Sequence, residues 1–382
     1  MCFASKDFVA RRGECMSSPL SQPHVEATVG KRSVAVDFMR IVAIMAVVCV
    51  HALPVPLLAG QGASVIISAV IGSLSKIGVP LFLIITGYLM LDRDYTGSWL
   101  IRFLKHNYLP LFVSYETWVI IATAMKLIAN PSTKTVTDGL RAMLCLGEPF
   151  MIHFWYMQMI LGIYLFIPII ASFIQTCGRC AVRYIRMLIV IGVVLVFALP
   201  TAQMVYCWFG GSTDYEVTLG GFAGRGALGV FYMLLGYALR KDLFAIGGRI
   251  ARVVFAILSL ALLWITSVFE LSTTGELFQA NTGFLPIALT AFAFANWMIH
   301  APSWNQCPTW LASFLRYLAG CAFGIYMVHP LIIEIAAKLI PQSVHLMRIA
   351  FLNPISIFMI SLCCCALLSQ LKPFRKWLLL QK

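Results

Sequence analysis

The sequence predicts an all-α protein, a polytopic membrane helix bundle of about ten transmembrane helices with both termini cytoplasmic. Three observations predict it. Of the 382 residues 60% are hydrophobic and only 11% charged, and the mean hydropathy is +0.88, whereas a soluble globular chain carries about 25% charged residues. Apolar runs close to the ~20 residues that cross a bilayer recur along the whole chain. The Lys and Arg residues fall in short clusters between those runs.

The spans read, in order, as residues 34–54, 64–91, 107–129, 153–175, 184–206, 221–239, 250–269, 282–300, 310–333 and 349–371. The second is the least regular, because Ser73, Ser75, Lys76 and Pro80 interrupt it. It reads as a broken helix, which a membrane tolerates where protein or water covers the freed backbone. With the N-terminus inside, twenty of the 28 Lys and Arg residues lie on the cytoplasmic side, against Lys134, Arg141, Lys338 and Arg348 outside. That asymmetry sets the orientation. The thinnest inside loop carries a single charge, Arg316.

The chain divides into a polar cytoplasmic segment 1–33, a transmembrane domain 34–371 and a basic cytoplasmic tail 372–382. No apolar stretch precedes the first span, so no cleavable signal is expected, and Met16 offers an alternative start. The net charge of +13 is explained by topology, and no nucleic-acid partner is expected. Among the cysteines, Cys49, Cys321 and Cys363 to Cys365 lie in apolar runs and act as small hydrophobes. Cys177 and Cys180 form a lone CxxC with no second pair nearby, which reads as reduced cytosolic thiols rather than a metal site.

Ionisable side chains inside spans are costly and mark function. They are Asp37, Arg40, His51, Lys76, Lys126, Arg225, His329 and Glu334. Lys76 and Lys126 have snorkelling as a simpler account. In the first span, eleven residues at about 100° each bring His51 within about 20° of Arg40 around the helix and about 16 Å along it. Asp37 lies three residues before Arg40, within side-chain reach. The plain alternative is an interfacial Asp37–Arg40 pair and a His51 bonded to a backbone carbonyl. The orientation puts Arg40 toward the cytoplasm and His51 toward the outer face, as a transfer across the membrane requires.

The sequence here resembles the acyltransferase 3 family of membrane acyltransferases, which O-acetylate surface polysaccharides and other extracytoplasmic or lipid-linked acceptors. The resemblance rests on Asp37-Phe-Met-Arg40 with His51 eleven residues beyond Arg40, and on Gly78-Val-Pro-Leu-Phe-Leu-Ile-Ile-Thr-Gly87. It is carried further by His153-Phe-Trp-Tyr156 with Tyr164 and Pro168, Gly236-Tyr-Ala-Leu-Arg240, and Gly324-Ile-Tyr-Met-Val-His329-Pro330. Thr86 stands where the family often has Ser. The resemblance implies an enzyme, an acyltransferase of groups other than amino-acyl groups. An acetyl group would pass from cytoplasmic acetyl-CoA, or another acyl-CoA, to a hydroxyl of a cell-envelope glycan or its lipid-linked precursor. It implies a multi-pass protein of the inner (cytoplasmic) membrane, with Arg40 and His51 as the functional pair and no metal.

A neutral imidazole takes a proton from an attacking hydroxyl, and a guanidinium clamps phosphate or an oxyanion. His51 is therefore the expected general base, with a covalent acyl-histidine as the alternative, Arg40 the donor ligand or electrostatic support, and Asp37 its orienting partner. Secondary acceptor-site residues are His153, Trp155, Tyr156, Arg225, Tyr326 and His329. An aromatic belt at the fourth span and a kink at Pro330 explain several of these without function. Arg225 lies among Gly220, Gly221, Gly224 and Gly226, which suit close helix packing better than nucleotide binding. Arg102, Lys105, Arg240 and Lys241 are expected against the phosphates of acyl-CoA, or are simply positive-inside charge. Some relatives carry an extracytoplasmic esterase-like domain, and its lack after the tenth span points to transfer completed here or by a separate acyl-handling partner. The competing class is a transporter of a small solute along the same polar face, whose sign would be inverted repeats with paired broken helices. The sequence shows one irregular span.

Overall fold

The computed structural model describes residues 33–52, 65–129, 131–146, 151, 153–211, 225–275, 283–339 and 346–381. Among them there is no strand. The helices are α1 (Val34–Ala52), α2 (Val65–Ser75), α3 (Gly78–Met90), α4 (Ser98–Phe103), α5 (Leu109–Ala129) and α6 (Thr133–Met143). They continue with α7 (Phe154–Gly192), α8 (Leu199–Trp208), α9 (Arg225–Arg240), α10 (Gly248–Thr274), α11 (Leu285–Ile299), α12 (Thr309–Leu339) and α13 (Leu346–Leu368). Helix is the form that satisfies every backbone donor and acceptor within an apolar run.

Among the described residues six stretches are long and apolar enough to cross a membrane: Val34–Ala52, Val70–Met90, Ser98–Ile128, Phe154–Trp208, Gly248–Thr274 and Thr309–Ile335. Gly226–Arg240, Leu285–Ile299 and Asn353–Leu368 are shorter apolar helices. Large apolar side chains such as Phe166, Ile169, Ile257, Leu258 and Ile265 point outward, more than half exposed, as lipid-facing residues do. The chain is a multi-pass membrane protein.

Three irregularities shape the bundle. The break foreseen in the second span falls at Lys76 and Ile77, where 3₁₀-type bonds Lys76 N–H to Ser73 O and Ile77 N–H to Leu74 O close α2. Ser75 donates to the Gly72 carbonyl at 2.6 Å there, and Pro80 sits in the first turn of α3, where its missing N–H costs nothing. The Phe154–Trp208 stretch is 55 residues long, roughly 80 Å of helix and far more than one crossing. It breaks at Gly178, with φ 50° and ψ −118°, a conformation that glycine adopts without a Cβ penalty. A π-helical turn at Leu104–Tyr108 joins α4 to α5, and another at Val193–Ala198 joins α7 to α8.

Helix α1 packs against α2, α3, α11, α12 and α13. Close approach depends on glycine. A Cβ on Gly78 would lie 2.7 Å from the Ala43 carbonyl of α1, and Cβ atoms on Gly87 and Gly236 would collide with the Met233 and Ile84 carbonyls. Helices α3 and α9 therefore meet backbone to backbone, the small-residue packing that membranes favour. After α13 a π-helical turn at Phe374–Leu378 folds back. Ser114 and Trp118 of α5 donate to the Leu378 carbonyl, and Leu379 is fully buried.

Replacing Gly236 with Leu should destabilise the bundle by about 3 kcal/mol, the upper range for overpacking, seen as a lower melting temperature in detergent. Gly320→Ala, where a Cβ meets nothing within 4 Å, should melt like the parent.

Candidate functional site

The polar stripe of α1 has two ends, and each is completed by residues remote in sequence. At the far end, the His51 ring lies 5.4 Å from the ring of His329 on α12, and His329 lies 5.9 Å from His153 at the start of α7. Tyr326, one turn before His329, donates its hydroxyl to the His153 carbonyl. Its ring stands 5.7 Å from His153 and 5.6 Å from Tyr156. Asn353 of α13 donates to the Ala52 carbonyl at 2.9 Å, satisfying a helix C-terminal acceptor and anchoring the turn that carries His51.

The chemistry of this end follows from which nitrogens are occupied. His329 is fully buried and its Nδ1 lies 3.1 Å from the Ile325 carbonyl. A carbonyl only accepts, so Nδ1 carries the proton and Nε2 holds a free lone pair. Among the described residues His329 Nε2 and both ring nitrogens of His153 are buried without a hydrogen-bond partner. Helix α12 carries Pro330 within its continuous run from Thr309 to Leu339. Pro330 does remove the N–H that would bond the Tyr326 carbonyl, and the His329 ring lies against that carbonyl as a second acceptor.

At the near end, Arg40 donates from Nη1 to Asp37 Oδ1 at 3.3 Å, with Asp37 buried. Arg40 and Arg93 both act electrostatically on the hydroxyl of Tyr164 on α7. Tyr164 stacks on Phe103 at 6.0 Å, which meets Tyr95 edge-on at 5.0 Å. Burial pushes the Tyr95 phenol up to about 12, so it remains a donor to the Met90 carbonyl at the end of α3.

Of the four cations expected at acyl-CoA phosphates, two are paired with a carboxylate. Lys241 Nζ lies 2.6 Å and Arg240 Nε 3.6 Å from the Asp92 carboxylate, and Arg240 also covers the Tyr88 ring at 5.2 Å. Two cations on one carboxylate leave a net positive charge. Arg102 stands over Trp99 at 5.3 Å and is exposed, as is Lys105.

The structure thus brings His51, His153, Tyr156, Tyr326 and His329 into one cluster, which the sequence treats as separate candidates. Trp155 is half-buried with its ring 6.1 Å from that of Tyr156, and its ring makes no described contact with the histidines. Arg225 opens α9, but its side chain lies outside the described residues. Reading the sequence missed three groups. Arg93 looks like ordinary positive-inside charge. Glu116 lies mid-span on α5 with both carboxylate oxygens buried. Glu270 ends an apolar run and is fully buried within electrostatic reach of Lys76, which is therefore no simple snorkelling residue. Among the described residues no three His, Cys, Asp or Glu side chains are grouped to hold a metal ion.

Compared with known protein families, residues 33–371 match the acyltransferase domain of the acyltransferase 3 family. No curated protein and no solved structure matches the chain. The match takes in α1 through α13 and every residue of both clusters, and on that footing the chain belongs to the acyltransferase 3 family and is a membrane acyltransferase.

Proposed function

We propose that the protein is an O-acetyltransferase of the inner membrane. It carries an acetyl group from cytoplasmic acetyl-CoA to a hydroxyl of a cell-envelope glycan or its lipid-linked precursor. The observation that carries this reading is the pairing of an arginine end and an imidazole end on one face of α1, about 16 Å apart. The proposed topology is ten spans with both termini cytoplasmic, supported by the charge asymmetry and by the break at Gly178 that divides the longest apolar stretch.

In this reading Arg40, held by Asp37 and reinforced by Arg93, receives the anionic part of the donor, with Arg102, Lys105 and the Asp92-bound Arg240 and Lys241 nearer the phosphates. The thioester end reaches along α1 toward His51. There the acceptor hydroxyl attacks the thioester carbonyl while His51 takes its proton. The carbon–sulfur bond breaks, and the proton passes to the departing CoA thiolate. His153, Tyr156, Tyr326 and His329 bind the acceptor, and the free Nε2 of His329 accepts from the hydroxyl or from a protonated His51. With His329 buried and His51 half-buried beside it, the charge that forms on His51 is felt more strongly than it would be in water.

Membranes holding the protein should move label from acetyl-CoA into envelope glycan, and mass spectrometry of glycan from a deletion strain should name the acceptor. At matched expression His51→Ala should lower transfer by about 10²–10⁴-fold, the usual contribution of a general base. Transfer at the parental rate would overturn the mechanism, and label-free accumulation of a solute in vesicles would indicate a transporter instead. Asp37→Asn should act chiefly on KM for acetyl-CoA, because it loosens Arg40 without touching the imidazoles. His329→Asn, which keeps a donor to the Ile325 carbonyl but removes Nε2, should cost at least ~10-fold in kcat. His329→Gln, which places a polar atom near Nε2, should retain more activity. Equal rates in these two variants would show that His329 acts through packing alone.

A further inference from the structure

The opposite face of α1 borders a second site that the transfer reaction does not use. Met45 lies about 140° around the helix from Arg40. With Cys49 it lines an apolar cavity of about 700 Å³, closed on its other sides by Leu74 of α2, Ala256 and Leu260 of α10 and Phe294 of α11. Ile257, which also lines it, is 59% exposed, so the cavity opens on the lipid-facing surface. Trp297 of α11 stands at one end and also lines a second, polar cavity of about 300 Å³. That cavity is walled by Arg249 and Arg252 of α10, by His300 and by Ser303. The two cavities share Trp297 as a wall, a basic polar one beside a larger greasy one.

We propose that the two form one channel that binds one anionic phospholipid, its phosphate at Arg249 and Arg252 and one acyl chain between α1, α2, α10 and α11. Charge complementarity argues for an anion. Arg249 lies in the first turn of α10 and Arg252 begins the second, near the end where a helix dipole disfavours cations. That turn holds no acidic residue, and Gly247 caps it without a side chain. No carboxylate among the residues lining the polar cavity answers the two charges. The Nε of Arg252 is buried with no hydrogen-bond partner among the described residues. A phosphate there meets both guanidinium groups together.

Length argues for a lipid rather than a soluble anion. From Arg249 to Leu260 is about 16 Å along α10, close to half of the ~30 Å hydrocarbon core, which is the depth of one leaflet. Trp297, between the polar and apolar parts, has the amphipathic ring that sits at headgroup level. The site does not rest on the acyl-transfer reading, because it shares no side chain with the Arg40 and His51 face.

The test titrates the purified full-length protein in neutral detergent with phosphatidylglycerol or phosphatidylcholine, reading bound lipid by native mass spectrometry and stability by melting temperature. Phosphatidylglycerol should bind at a stoichiometry of one and raise the melting temperature more than phosphatidylcholine. Arg249→Gln with Arg252→Gln should bind it roughly 30-fold more weakly, from about one charge-contact increment per arginine, and lose the preference between the two lipids. Ala256→Phe, which fills the body of the channel, should weaken both lipids. Each variant is compared with its own lipid-free melting temperature, and the single Arg252→Gln substitutes if the double variant is unstable. His51→Ala should bind lipid like the parent even where it abolishes transfer. Equal binding of the two lipids, unchanged phosphatidylglycerol binding in the arginine variants, or an equal shift from inorganic phosphate or acetyl-CoA would overturn the proposal.

Discussion

An ionisable side chain turned toward hydrocarbon costs several kcal/mol, and α1 carries Asp37, Arg40 and His51 on one face of an otherwise apolar helix. Much of the bundle can be read as the answer to that cost. Helices α3, α12 and α13 cover α1, and the cover is tight because Gly78 lets α3 approach the α1 backbone. Both ends are pinned, by Phe38 against Trp304 at 5.3 Å and by Asn353 on the Ala52 carbonyl. Once α1 is fixed in this way, its polar stripe is held at defined distances from every partner that serves it.

The chemistry then depends on separation as much as on proximity. About 16 Å of helix between Arg40 and His51 is too far for one compact dyad, so the two act as stations with different neighbours. Cations and phenols gather at Arg40, while imidazoles gather at His51. The imidazole station is assembled from three distant segments, and the tautomer of His329 is set by a backbone carbonyl rather than by a carboxylate. Pro330 takes part by freeing a carbonyl within α12.

Surrounding α1 on all sides also gives it a second face. The side turned away from the polar stripe meets α2, α10 and α11 loosely enough to leave a cavity, whereas the glycine-mediated contact of α3 with α9 leaves none. Tight and loose packing in one bundle divide its labour. Rigid contacts hold reacting groups, and the open seam with its arginine mouth suits a ligand supplied by the membrane itself. The segment after α13 adds a further tie, since Leu378 and Leu379 lock onto the rest of the bundle rather than trailing from it.

By itself the sequence determined that the chain is helical and crosses a membrane repeatedly, because hydrocarbon imposes one rule on every backbone group and composition reports it directly. It also determined the Asp37–Arg40 contact and the shared face of His51, since helical periodicity is local. The break near Lys76 was legible for the same reason. Tertiary structure alone decided that His51, His153 and His329 meet, that Glu270 comes within electrostatic reach of Lys76, and that Arg252 lines a polar cavity next to an apolar one. Those residues lie up to 278 positions apart, and no local pattern encodes which helices become neighbours. That choice is made by where glycines permit backbone contact and where buried polar groups must find one another.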